Sequence, residues 1–257
     1  MDYNKQKLTL IFLILPGFLF SYLGYTVTPA RIDKALFNVE EITEVFEVQN
    51  LANDTLRIKL AFESFEIDEN GRTVFFSSES LKNSIALYSL VNPEEFLIPP
   101  QAKEFVRFTF RMPEDTLVEY YGMLIFKSQP IPSVYQPMIQ IAGEIGIPIY
   151  YYKANESIKE IGIESLYVKN DSFFVVVKNK GNIHARLTGS TVILTTDGKI
   201  RFKDTIPEFV ILPQKIRKLR MPVKESLIPG EYLLKVWLDF GASKVIESER
   251  HLKVEDF

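Results

Sequence analysis

Apolar and polar residues alternate with a period of two along most of this chain, the mark of strands with one buried face. The longest such stretch is Met138–Tyr152, MIQIAGEIGIPIYYY. Its odd positions put Ile139, Ile141, Ile145, Ile147, Ile149 and Tyr151 on one face, with a gap at Gly143. Two glycines and Pro148 argue against a helix. Pro148 has no backbone donor, which predicts an edge or a bulge at that point. Two arrangements fit so long a strand. It is either a core strand shared by two sheets or an edge strand lent to a partner protein.

Shorter runs surround it. Strands are predicted at the start of 25–36 and over 44–49, 55–67, 85–90, 104–112 and 120–127. In 55–67, Leu56, Ile58, Leu60 and Phe62 share a face opposite Arg57 and Lys59. Asp68-Glu-Asn-Gly71 closes that run as a turn. The stretch 77–84 is polar and predicted irregular, and Pro130, Pro132 and Pro137 mark a loop. Lys153–Ser157 reads as a linker. Further strands are predicted over 158–168, 172–178, 184–195, 209–212, 215–221, 231–240 and 242–254. Many short strands and no amphipathic helix predict an all-β chain: two immunoglobulin-like β-sandwich domains in tandem, 25–153 and 157–257.

The amino terminus breaks the alternation. Lys5 and Lys7 precede an apolar run, Leu8–Leu23, interrupted by Pro16 and Gly17. This is the pattern of a signal peptide over 1–24, with Ser21 and Gly24 as small residues near the cleavage point. An uncleaved membrane anchor is the alternative, because no charge occurs between Lys7 and Arg31. Either way, the remainder is expected outside the cytoplasm.

Composition narrows the function. The net charge of −3 lacks the basic excess of a nucleic-acid binder. Twenty Phe and twelve Tyr reinforce the β assignment. With no cysteine, disulfides, thiolate metal sites and a cysteine nucleophile are excluded. His184 and His251 have no metal-ligand spacing and read as structural or surface residues. No GxSxG, P-loop or GxGxxG occurs. No catalytic activity, cofactor or metal is expected. Glu40, Glu41, Glu44 and Glu47 read as a solvated acidic face, with Glu44 a candidate to point inward. Asp68-Glu69-Asn70 reads as a turn rather than a calcium loop. Lys215, Arg217, Lys218 and Arg220 read as the wet side of a strand, an anionic contact being the alternative. Trp237 reads as core.

Four features resemble the PapD-like periplasmic chaperones of pilus assembly. They are Val27-Thr-Pro-Ala-Arg31-Ile32, Phe46–Asn53 with the strand after it, Phe96–Gln101 leading to Val106-Arg107-Phe108, and the order of strand, proline loop and long strand over 120–152. The resemblance implies two immunoglobulin-like domains. It also implies that the long strand fills the groove of a subunit lacking its last strand, with Ile139, Ile141 and Ile145 in those positions. The family holds the subunit's terminal carboxylate between an arginine on the first strand and a lysine on the long one. Arg31 matches the arginine, whereas Pro148 stands at the lysine position and no lysine occurs between 128 and 152. Implied partners are pilin-like or other surface subunits and an outer-membrane usher, in the periplasm or cell envelope. Nucleic acid is not among them, and membrane contact is confined to an uncleaved amino terminus. Arg111-Met-Pro113, Tyr121-Gly122 and Ile228–Tyr232 are similar, more weakly, to segments of the WxL-interacting surface proteins. The function expected is thus that of a non-enzymatic chaperone acting by β-strand augmentation. The alternative is a structural or adhesive envelope protein binding a surface polymer or partner protein.

Overall fold

Strands form over most of the described alternating stretches, and the outward side chains are polar enough to leave one face of most of them wet. The computed structural model describes residues 24–38, 40–114, 117–129, 131, 142–169, 172–222, 227–242 and 245–254. The first half contributes β1 (Tyr25–Thr28), β2 (Ile32–Leu36), β3 (Glu41–Asn50), β4 (Leu56–Ile67), β5 (Thr73–Ser77), β6 (Ser89–Asn92), β7 (Glu95–Ile98), β8 (Lys103–Arg111), β9 (Glu119–Gln129) and β10 (Glu144–Lys153). One sheet has the order β1-β3-β8-β6; the facing sheet runs β2-β10-β9-β4-β5, with β7 on β4. The second half contributes β11 (Ile161–Lys169), β12 (Ser172–Asn179), β13 (Ala185–Thr195), β14 (Ile200–Ile211), β15 (Ile216–Pro222), β16 (Gly230–Asp239) and β17 (Ile246–Val254). Its sheets are β11-β12-β15 and β14-β13-β16-β17. Each half encloses its own apolar core, one around Phe46, Phe108, Phe126 and Ile149, the other around Phe173, Val175, Leu187 and Val236. The chain is therefore two β-sandwiches in tandem.

The first strand of the sequence reading is two strands in different sheets. β1 pairs antiparallel with β3, and β2 pairs parallel with β10. Pro29, after a cis peptide bond, lies at the switch.

The two sandwiches repeat one corner. Asn50 ends β3 and Asn179 ends β12, both fully buried. The Asn50 amide donates to the carbonyls of Asp54, Ile98 and Pro99, and its Oδ1 accepts from Ala52 N–H. The Asn179 amide donates to Ile183 and Ile211, and its Oδ1 accepts from Gly181 N–H. Beside each, a glutamine at positive φ, Gln101 (59°) or Gln214 (62°), donates to two carbonyls of the same turn. A buried amide is stable only when its donors and acceptor are satisfied, so each asparagine fixes the path of two turns.

Several expectations are corrected. The strand expected over 85–90 is a 3₁₀ turn, Ile85–Tyr88, followed by β6. The Ser84 hydroxyl accepts from Ala86 N–H and starts that turn, a local bond that competes with extended pairing. β5 (TVFFS) and β7 (EFLI) are not among the expected strands; each is a short edge strand whose consecutive apolar residues show no alternation. The 209–212 strand is only the end of β14, whose pairing with β13 shifts register twice and so breaks the period of two. Trp237 is not core. Tyr232, Leu234, Val236 and Leu238 fill the inward face of β16, which leaves Trp237 half-buried on the outward one.

Candidate functional site

The long strand is centred on β10. Its pairing with β9 runs from Glu144↔Lys127 to Tyr152↔Glu119. At its two ends, Ser128 N–H donates to the Gly143 carbonyl and Lys153 N–H to the Val118 carbonyl. Antiparallel hydrogen bonding alternates, so the odd residues bond to β9 and the even ones face the other way. On that other side β2 begins only at Ile149↔Ile32. Among the described residues, therefore, no strand pairs with the backbone of Glu144, Gly146 and Pro148 on that side. Pro148, lacking an N–H, sits where the edge gives way to β2.

The isoleucine face divides. Ile147, Ile149 and Tyr151 are buried in the first core. Tyr151 stacks on Phe110 with centroids 4.8 Å apart, and its buried hydroxyl has no hydrogen-bond partner among the described residues. Ile145 is half-buried and packs on the rim of that core, at the uncovered part of the strand. Ile139 and Ile141 lie outside the described residues, as does the apolar run Leu8–Leu23.

Arg31 is placed apart from Ile145. Extending the β2–β10 register one step back sets Arg31 beside Pro148. Ile145 is three residues further along, about 10 Å at strand rise. Arg31 lines an open cleft of about 640 Å³ with Pro29, Ile32, Asp33, Lys34, Glu44 and Arg186. Its guanidinium lies 2.9 Å from Glu208 Oε1, which also accepts from Arg186 at 2.9 Å. Both arginines hold the Glu208 carboxyl below the usual range, against the upward push of burial. Lys34 bonds Glu44, which does point inward from β3 with its side chain 16% exposed. The cleft thus carries three cations, Arg31, Lys34 and Arg186, each engaged by an internal carboxylate.

Two further contacts join the two sandwiches, and the first of them was not foreseen. His184, just before β13, reaches the first sandwich. Its backbone N–H donates to Glu119 at 2.8 Å, and its ring meets Glu119 and Asp33. The two carboxylates lie on opposite nitrogens and do not converge, and among the described residues no metal-binding cluster occurs. The ring stacks on Tyr150 at 4.0 Å. Tyr150 itself packs with Phe65, Tyr121 and Leu212 of the second sandwich, and burial pushes the Tyr121 hydroxyl up to about 12.

The second contact is a clasp between the β4–β5 turn and β15. Lys215 bonds Glu66 at 3.1 Å and Lys218 bonds Glu69 at 2.7 Å. Lys218 N–H donates to the Glu69 carbonyl, and the Arg217 guanidinium donates to the Asp68 carbonyl and lies against Gly71. Lys215, Arg217 and Lys218 are thus not merely a wet strand face but the anionic contact named as its alternative, and the anions are in the same chain.

These features can be set beside known proteins. No protein-family model matches the chain, and no curated protein does. Solved structures match over nearly its whole length. The class 5 fimbriae chaperone CfaA superposes with a TM-score of 0.54 at 14% identity, covering 90% of this chain and 99% of its own. The fold is that of the PapD-like fimbrial chaperones. A chain from a structure of a chaperone–tip adhesin complex of CFA/I fimbriae gives 0.53 at 15% identity, covering 88% and 97%. One from the CsuC–CsuE pre-assembly complex of Acinetobacter baumannii Csu pili gives 0.52 at 13%, covering 87% and 97%. The two-sandwich architecture expected from the residue resemblance is the one observed.

Proposed function

We propose that this protein is an exported, non-enzymatic chaperone that binds pilin-like or other surface subunits by adding its β10 edge to their incomplete sheets. The observation that carries the reading is the edge itself. β2 covers β10 only from Ile149 onward, leaving the Glu144–Pro148 backbone to pair with an incoming strand. The complexes with tip subunits formed by proteins of this fold support it. Ile145 lies at the rim of that edge, and Ile139 and Ile141 extend the same alternation toward the client. Arg31 takes the client's terminal carboxylate. Lys34, in the same cleft, supplies the second cation that Pro148 does not. In this reading residues 1–24 are a signal peptide, 25–153 form the strand-lending domain and 157–257 the second domain.

The test is co-expression with the subunit-like proteins encoded beside its gene, followed by purification of the complex. Ile141→Asp and Ile145→Asp should yield a folded protein that captures no subunit, and Arg31→Ala should weaken capture. If both isoleucine variants retain subunits at the wild-type level, strand addition through this edge is wrong. Export is checked by amino-terminal sequencing of the envelope fraction, expected to begin just after Ser21 or Gly24; an intact Met1 would replace secretion with anchoring.

A further inference from the structure

His184 is 3% exposed and belongs to the second sandwich, yet both of its ring nitrogens face carboxylates of the first. Nδ1 meets Glu119, and Nε2 lies 3.1 Å from Asp33 Oδ2. A neutral imidazole has one donor and cannot serve both carboxylates; the imidazolium has two. The Tyr150 ring, stacked at 4.0 Å, presents a π face to that cation. From Asp33 the contacts continue to Arg186 at 3.6 Å, then to Glu208 and to Arg31, each at 2.9 Å. Charge alternates along Glu119, His184, Asp33, Arg186, Glu208 and Arg31, from a buried end to the open cleft. All the links but Arg186–Glu208 cross from one sandwich to the other.

We propose that His184 is a proton-operated latch of the domain junction: as an imidazolium it ties the two sandwiches together, and loss of its proton frees them. The inference does not depend on what the β10 edge binds.

The groups facing His184 are Asp33 from β2, Glu119 from β9, Tyr150 and Tyr152 from β10 and Arg186 from β13. Lys159, which lies 5.9 Å over the Tyr152 ring, completes the surroundings. Burial opposes the imidazolium, but the hydrogen bonds and charges of Asp33 and Glu119 outweigh it and raise the His184 value. Burial raises Glu119 too, against the pull of His184. Burial would raise Asp33, yet His184 and Arg186 hold it below the usual range. Burial keeps both tyrosines neutral well above the ordinary range, so neither competes. A group raised in the folded state contributes stability that is complete below its unfolded value, about 6.5 for histidine, and lost as pH rises through the folded value. Raised Glu119 acts in the same direction. The latch therefore holds below the ordinary histidine value and opens as pH rises through the raised value of His184.

The chain has two histidines and no cysteine, which makes the test direct. Ring 15N spectra of the full chain are followed against pH, with exposed His251 as the internal control. The His184 ring should titrate above the ordinary histidine value of about 6.5. Arg107→Cys and Glu247→Cys, exposed sites on the two sandwiches, carry a pair of spin labels. Their distance distribution should be narrow below the His184 midpoint and broaden through it. Asp33→Asn should lower both midpoints together, and His184→Gln should leave the distribution broad at every pH. A His184 midpoint at or below the ordinary value of about 6.5 overturns the latch. So does a raised midpoint that the label distances ignore, or an Asp33→Asn variant that moves neither.

Discussion

Replacing Gly71 with alanine tests the clasp between the sandwiches. Gly71 sits at φ 92° in the β4–β5 turn, a region that costs an L-residue about 1–2 kcal/mol. An added Cβ would also lie 1.8–2.0 Å from the Arg217 guanidinium. That group is the end of a flexible side chain, so it swings away rather than forcing the backbone apart. It gives up its 3.3 Å bond to the Asp68 carbonyl, but its buried Nε, which has no partner, regains water. The net loss there is about 0.5–1 kcal/mol. The Lys215–Glu66 and Lys218–Glu69 pairs are solvent-screened and remain. Gly71→Ala should therefore cost about 1.5–3 kcal/mol by urea unfolding. Arg217→Ala made first removes the clash, so the double variant should be less destabilised than the sum of the singles by about 0.5–1 kcal/mol. Strict additivity, or a Gly71→Ala cost below about 0.5 kcal/mol, would refute the contact.

Other outcomes follow from single environments. Tyr151→Phe removes a buried hydroxyl that has no partner and should raise stability by about 1–2 kcal/mol in the same assay, where a loss would mean the hydroxyl is bonded. Ile149→Asp places a carboxylate in the fully buried core beside Phe108 and should abolish the first sandwich's cooperative melting, whereas half-buried Ile145→Asp should leave a folded protein; equal damage would make the whole stretch core. Asn50→Ala and Asn179→Ala each strand two or more buried carbonyls and should each cost about 2–4 kcal/mol, which hydrogen exchange would localise to the first and second sandwich respectively.

Fold class was legible because period-two alternation is a local property. In β4, Ile58 and Leu60 point inward against exposed Arg57 and Lys59, as the text alone suggests. The alternation fails where structure departs from two-sided pleating. β9 runs apolar without alternation from Tyr120 to Phe126 because its outer face is covered as well, as at Tyr121 in the domain junction. β14 loses phase at its register shifts. Trp237 was misplaced by residue type, since a large aromatic counts as core in composition but only its parity along β16 decides which face it takes. The repeated asparagine–glutamine corner escaped notice because it depends on side chains some fifty residues apart for Asn50–Gln101, a separation that periodicity does not see.

The site was legible as a strand and illegible as a cleft, for a physical reason. Whether a strand has a free edge depends on where its neighbour stops, and β2 stops short because the chain changes sheets at Pro29. Within Glu144–Pro148 only Pro148, which has no N–H, points to an edge, and it does not say how far the edge runs. Charge placement behaves in the same way. A lysine on the long strand is one means of putting a cation next to Arg31, and a search for it ends at Pro148. Lys34 approaches the same cleft from β2, paired across from Tyr151 in register, and Arg186 approaches from the other sandwich. A carboxylate entering the cleft would meet a field set by position in space, whichever strand supplies the charge. It must also displace internal carboxylates, because Glu208 occupies Arg31 and Arg186, and Glu44 occupies Lys34. Under the proposed function, binding there would exchange one carboxylate for another, so affinity would rest on the backbone pairing at the β10 edge and the charges would set register and orientation.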